Sequence, residues 1–184
     1  GFFKNIWVQP AAGDAGGSLG AALLVWYNEL ENKRLINKED SMCGSYLGPS
    51  YRNEEIKSTL EEYKANYQLF DEENLIRFAS ESLREGKIIG WFQGRMEFGP
   101  RALGSRSIIG DARSYEMQKK LNLKVKFRES FRPFAPSVLR EDLSKWFNME
   151  VDSPYMLLVT NVNSQKTYKI TEEQTKLFGI DKLN

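Results

Sequence analysis

The 184-residue sequence contains no histidine. That removes the side chain most often used for proton transfer near neutral pH, and the commonest metal ligand. Cysteine occurs once, at Cys43, which excludes an internal disulfide and fits a reducing compartment such as the cytoplasm. No uninterrupted apolar run reaches the roughly 20 residues that a membrane helix requires, and no signal-peptide pattern opens the chain. An excess of one charge is also lacking: 26 Lys and Arg face 25 Asp and Glu, a formal net charge of +1. So balanced a chain has no global attraction for nucleic acid, anionic lipid or acidic ligands, and any such attraction must be local. The opening "GFFKNIWVQP" carries no initiator Met and reads as the interior of something longer.

With 41% hydrophobic residues, the chain can supply one good core or two small ones. "NIWVQP" alternates like a short strand ending at Pro10. The glycine-rich turn "AAGDAGG" then leads to a helical pattern over "SLGAALLVWYNELENKRL", with Ser18 as its cap. A loop follows, then a polar helix near "NEEIKSTLEEYKA", a break around Asn66, and a helix over "DEENLIRFASESLREG". "KIIGWFQG" reads as a buried strand and "SIIGD" as a short one. A helix near "RSYEMQKKLN", an extended "RPFAPSVL", a short helix at "REDLSKWF" and an apolar strand "YMLLVTNV" complete the pass. Interleaved strands and helices make the class α/β.

Two stretches carry candidate chemistry. In "QPAAGDAGGSLGAAL", a glycine turn between strand and helix can bring backbone N–H groups to a phosphate. Asp14 there could hold a cation, or the stretch could be a tight turn with Asp14 as a capping group. The second stretch is "GRMEFGPRALGSRSIIGD" with its continuation "KKLNLKVKFRESFRPFAP". From Gly94 to Arg140, eleven cations stand against four carboxylates. Guanidinium groups grip phosphate or carboxylate through two bonds at once, and glycines beside them let the backbone approach the same anion. The pairing points to a small phosphorylated ligand. The alternative for any single residue is an ion pair with Glu97, Asp111 or Glu129. A nucleic-acid reading, with Phe127, Phe131 and Phe134 as stacking surfaces, is weaker, because these aromatics alternate like buried strand positions.

Together "VQPAAGDAGGSLGAAL", "YLGPSY", "GWFQGRMEFGPRALGSRSIIGDAR", "LNLKVKFRESFRPFAPSVL" and "SPYMLLV" resemble, in collinear order, the NodU/CmcH-type O-carbamoyltransferase family. The resemblance implies that residues 1–66 form the end of an actin-like, sugar-kinase-type (ASKHA) lobe and its linker. Residues 67–184 would then form a YrdC-like domain with a twisted mixed sheet, lacking the family's further C-terminal segment. It implies an enzyme that uses carbamoyl phosphate and ATP to make carbamoyl-adenylate and passes the carbamoyl group to a hydroxyl of a small-molecule acceptor. The alternative is a YrdC-like RNA- or nucleotide-binding module.

Carried over residue by residue, Asp14 matches a metal ligand for Fe2+ or another divalent ion, its partner ligands lying outside this chain. Gly16, Gly17 and Gly20 match the nucleotide-facing turn. Arg101, Arg106, Lys126, Arg128 and Arg132 match the basic motifs for carbamoyl phosphate and ATP, with Ser105 and Ser107 as phosphate hydrogen-bonders. Mg2+ is expected to arrive with ATP. The other expected partner is the rest of the full-length enzyme, with a homodimer left open and neither membrane nor nucleic acid expected. Acyl-adenylate formation mainly demands that repelling anions be held in line, which charge and positioning can supply without a histidine.

Overall fold

The computed structural model describes residues 8–177. It is a mixture of helices and one small sheet, in keeping with the α/β reading. The helices are α1 (Asp14–Leu24), α2 (Asn53–Glu62), α3 (Glu72–Arg84), α4 (Met117–Leu121), α5 (Leu143–Trp146) and α6 (Glu172–Thr175). Strands β1 (Ile89–Phe92) and β2 (Arg106–Ile109) pair as a two-stranded antiparallel sheet. Among the described residues no helix is long and apolar enough to cross a membrane.

The chain divides into two compact units. Of the described residues, one comprises 8–69, 90–107 and 153–158; the other comprises 70–89, 108–152 and 159–177.

In the first unit, α1 begins at Asp14, four residues before the expected cap. Ser18 therefore sits inside the helix, where its hydroxyl donates to the Ala15 carbonyl (2.8 Å) and caps nothing. The reason for the early start is visible in the turn: Ala11 adopts φ +54°, and its carbonyl accepts from Gly16 N (2.8 Å), closing the backbone before Ser18 is reached. A β-carbon on Gly16 would lie 2.4 Å from that carbonyl oxygen, so only glycine fits. The helix loosens into a wide turn at Val25–Glu29 and ends at Glu31, whose φ is +49°. Leu23, Leu24, Trp26 and Leu30 on this segment are exposed. The expected strand "NIWVQP" falls partly outside the described residues, and its described part, residues 8–10, is not a strand. Met42 and Pro10 are buried in this unit.

In the second unit the local signals hold. Asp71 caps α3 by accepting from Asn74 N (2.8 Å), Glu72 and Glu73 occupy its first turn, and Gly86 follows its end at φ +76°. Met117 and Leu121 of α4 are buried against Gly110, where a β-carbon would come within 2.8 Å of Met117 Cγ. After α4 the backbone continues as a wide turn, Asn122–Lys126, and breaks at Phe127 with φ +49°.

Two strand expectations fail. β1 is half exposed, with Phe92 on the open side, because a single partner strand covers neither face of a two-stranded sheet. "YMLLVTNV" forms no strand: Met156 takes φ +54°, which interrupts the extended run, and what remains is an isolated antiparallel bridge between Phe147 and Val162. Val159 is consequently 98% exposed.

Candidate functional site

The arginine- and glycine-rich loop joins β1 to β2 within the first unit. Three of its glycines, Gly94 (φ +61°), Gly99 (φ +104°) and Gly104 (φ +117°), take positive φ, a region that other residues enter at a cost. Gly99 is also close-packed, since a β-carbon there would lie 2.7 Å from Ala11 Cβ.

Inside the loop sits Glu97, whose side chain is fully buried. Its Oε1 accepts from the amides of Leu103 (2.7 Å), Ser105 (2.8 Å) and Arg106 (3.3 Å), while Oε2 accepts from Arg106 Nε (2.8 Å). Arg106 Nη2 donates to the carbonyls of Glu97 (2.9 Å) and Gly99 (3.3 Å). Burial pushes the Glu97 carboxyl up, but the Arg106 hydrogen bond and the converging amides outweigh it and hold the group at about 2. The carboxylate is thus the internal knot of the loop, and Arg106 is its counter-ion.

The loop is fastened to the segment "DSMCGSYLGPS". Phe98 N donates to Ser45 O (2.6 Å), Gly48 N to Met96 O (2.9 Å), Met96 N to Pro49 O (2.9 Å), and Arg95 Nη1 to Gly48 O (2.8 Å). Tyr46 Oη donates to Leu103 O (2.6 Å). Cys43, Gly44 and Ser45 are all left-handed, at φ +49°, +69° and +66°. Successive residues in that region are costly and persist only when the surroundings hold them. Tyr155 contributes to the holding: its hydroxyl donates to Asp40 and accepts from Gly44 N (3.0 Å). Burial, then the hydrogen bond to Asp40, raises the Tyr155 phenol to about 12. The hydrogen bond from Tyr155 in turn lowers Asp40.

Arg101 stands at the rim of a small cavity that Ala11, Ser45, Phe98, Pro100, Leu103 and Tyr155 also line. It is exposed, and its guanidinium has no hydrogen bond or ion pair among the described residues. Ser107 Oγ accepts from Gly104 N (3.1 Å), which leaves its own proton free to donate, whereas Ser105 is buried within the loop. Asp14, Gly16, Gly17 and Gly20 belong to this unit as well, on the first two turns of α1 and not on the turn before it. Asp14 is exposed, and among the described residues no group of three His, Cys, Asp or Glu is placed to hold a metal. Asp14 by itself does not make a metal site.

Lys126, Arg128 and Arg132 lie in the second unit. Arg128 Nε donates to Asn122 Oδ1 (2.6 Å), and its guanidinium carbon lies 4.8 Å from the Phe134 ring centroid. Arg132 pairs with Glu129 (3.1 Å), both half exposed. Lys126 is exposed. The single-residue alternative therefore holds for three cations: Arg106 pairs with Glu97, Arg113 with Asp111 (2.7 Å) and Arg132 with Glu129. Arg113 grips Asp111 through several hydrogen bonds and holds that carboxyl at about 2. Phe127, Phe131 and Phe134, expected inside, are exposed at 85%, 36% and 36%, because the left-handed turn at Phe127 breaks the expected alternation.

Sequence reasoning singled out neither Asn122 nor Tyr155 nor Tyr46, and it weighed Glu97 only as a surface ion-pair partner. A carboxylate flanked by glycine turns and followed by arginines was the available signal for Glu97. An Asn embedded in the apolar spacing of Met117, Leu121 and Val125 was the signal for Asn122.

The loop is built around a buried carboxylate and leaves one arginine, Arg101, without a partner among the described residues at its rim. Comparison with known proteins gives it a family: residues 80–175 match the model of the carbamoyltransferase C-terminus, and the chain belongs to that family. It is 55% identical, over its whole length, to an uncharacterized Synechocystis protein of which it spans 30%. It is 41% identical to the nodulation protein NolO of Bradyrhizobium diazoefficiens, over 90% of this chain and 30% of that protein. With the 3'-hydroxymethylcephem-O-carbamoyltransferase of Streptomyces clavuligerus it shares 31% identity, over 90% of this chain and 29% of the enzyme. The chain thus spans about three tenths of the length of these relatives.

Proposed function

We propose that this chain is the activating part of an O-carbamoyltransferase that turns carbamoyl phosphate and ATP into carbamoyl-adenylate, for transfer to a hydroxyl of a small-molecule acceptor. The observation that carries the reading is the family match over residues 80–175 coinciding with a loop that offers an unpaired arginine, Arg101, at a glycine-shaped rim. In this reading residues 1–66 close an actin-like lobe and 67–184 form a YrdC-like domain. In the first unit Arg101 is the guanidinium offered to phosphoryl oxygens, with Ser107 a hydroxyl donor; in the second it is Arg128, with Lys126 and Arg132 adding charge. Arg106 serves through the loop it shapes, leaving Nη1 for an anion. ATP would bring Mg2+, which neutralises its phosphates. A divalent metal at Asp14 needs ligands from outside these residues, as does the acceptor pocket. A cytoplasmic placement belongs to this reading and is supported by the proposed substrates.

The test is a calorimetric titration of the chain with carbamoyl phosphate and with MgATP. Saturable binding is expected, weakened about 10- to 100-fold in Arg101→Lys, which keeps the charge and loses the fork. Equal affinity in parent and Arg101→Lys for both ligands would refute the role given to this loop.

A further inference from the structure

The best-prepared guanidinium in the second unit is Arg128, and the group that prepares it is Asn122. Asn122 is the most buried residue described, at 0% exposure, and all of its side-chain capacity runs toward one segment. Its Nδ2 donates to the carbonyls of Ser130 (2.9 Å) and Arg132 (2.8 Å), and its Oδ1 accepts from Arg128 Nε (2.6 Å). Its backbone carbonyl also accepts from Arg128 N (3.1 Å). Gln118, one turn earlier, holds the same segment by donating its Nε2 to Phe131 O (3.0 Å) and to Arg132 O (3.1 Å), the second carbonyl shared with Asn122.

One edge of the Arg128 guanidinium is thereby fixed at Nε. One face is set by the Phe134 ring, 4.8 Å from its central carbon. Among the described residues the two terminal nitrogens have no partner, so the fork that binds oxyanions bidentately is what the arrangement leaves open. A free arginine must freeze several rotors on binding, and one already held loses less. A buried Asn is costly unless satisfied, and this one is satisfied by two carbonyls of the 130–132 segment and by the Nε of Arg128.

We propose that Asn122 is a positioning residue for an oxyanion, of phosphate or polyphosphate type, gripped by Arg128. This rests on the reading of Arg128 given under Proposed function and adds the residue that orients it.

The experiment is a double-mutant cycle on the 184-residue chain with inorganic pyrophosphate as the calorimetric probe, at a temperature where thermal melts show each variant folded. Arg128→Ala is expected to weaken binding at least about tenfold and Asn122→Ala about fivefold or more, with the double variant no weaker than Arg128→Ala alone. A merely structural Asn122 would lower the melting temperature without this non-additivity. Should Asn122→Ala not fold, Asn122→Ser takes its place: its shorter side chain does not reach Arg128 Nε, so the same acceptor is removed, and it is expected to couple to Arg128 in the same way. Pyrophosphate affinity unchanged in Arg128→Ala overturns the reading of Arg128 and the positioning role with it. Weakening by Arg128→Ala combined with unchanged affinity in the folded Asn122→Ala, or with losses that simply multiply, overturns the positioning role alone.

Discussion

Replacing Glu97 by Gln keeps the shape of the buried side chain and removes its charge. An amide oxygen can still accept from Leu103, Ser105 and Arg106 N, but the amide NH2 then faces Arg106 Nε, donor against donor, where 2.8 Å now separates an ion pair. Lowering a carboxyl from its ordinary 4.5 to about 2 corresponds to roughly 3 kcal/mol of folded-state stabilisation of the ionised form. Breaking a buried pair costs about 3 to 5 kcal/mol, and the partial exposure of Arg106 favours the lower end. Both routes give about 3 kcal/mol, or roughly 6 to 12 °C in melting temperature for a chain of this size. The pH dependence has a definite sign. Because the folded carboxyl lies below its unfolded value, the contribution is complete above about 4.5 and is lost as pH falls through about 2. Thermal melts of parent and Glu97→Gln should therefore differ fully at pH 7 and converge at pH 2. A difference at pH 7 below about 1 kcal/mol, or one that persists unchanged at low pH, would refute the description of Glu97 as the knot of this loop.

Gly16→Ala, which pushes a methyl to 2.4 Å from Ala11 O, should destabilise by about 1 to 3 kcal/mol, whereas Gly20→Ala, with nothing within 4 Å, should stabilise α1 by roughly 0.5 to 1 kcal/mol. Paired denaturant melts check the opposite signs. Asp71→Ala should cost about 1 kcal/mol through loss of the α3 cap, read by circular dichroism during melting. In Tyr155→Phe, which leaves Gly44 N without its acceptor, amide exchange at Gly44 should quicken while α3 is unaffected. The parent should show one tyrosine titrating near 12 that the variant lacks. That raised phenol stabilises the fold below the unfolded value of 10 and ceases to do so as pH rises through 12.

Local signals in the sequence determined what depends on one turn of backbone. The Asp71 cap, the acidic first turn and Gly86 place α3, and the loop's outline follows from Gly99 and Gly104. The motifs themselves were enough for the family, since they lie in order along the chain. Only tertiary structure decided partners. Whether Arg106 meets a ligand or Glu97 depends on how the loop closes, and charge counting weighed both. Tyr155 reaches Asp40 across 115 residues, a pairing that no spacing rule encodes. Apolar runs such as "YMLLVTNV" become strands only when a neighbour satisfies their backbone groups, and here the left-handed Met156 prevents it. Asn122 looks like one polar residue in a helix until its hydrogen bonds, each to a residue six or more positions on, show that it fixes the direction of Arg128. Capping and periodicity act between near neighbours; the orientation of a charged group is set by whatever the fold brings beside it, and that is where the chemistry of this chain was decided.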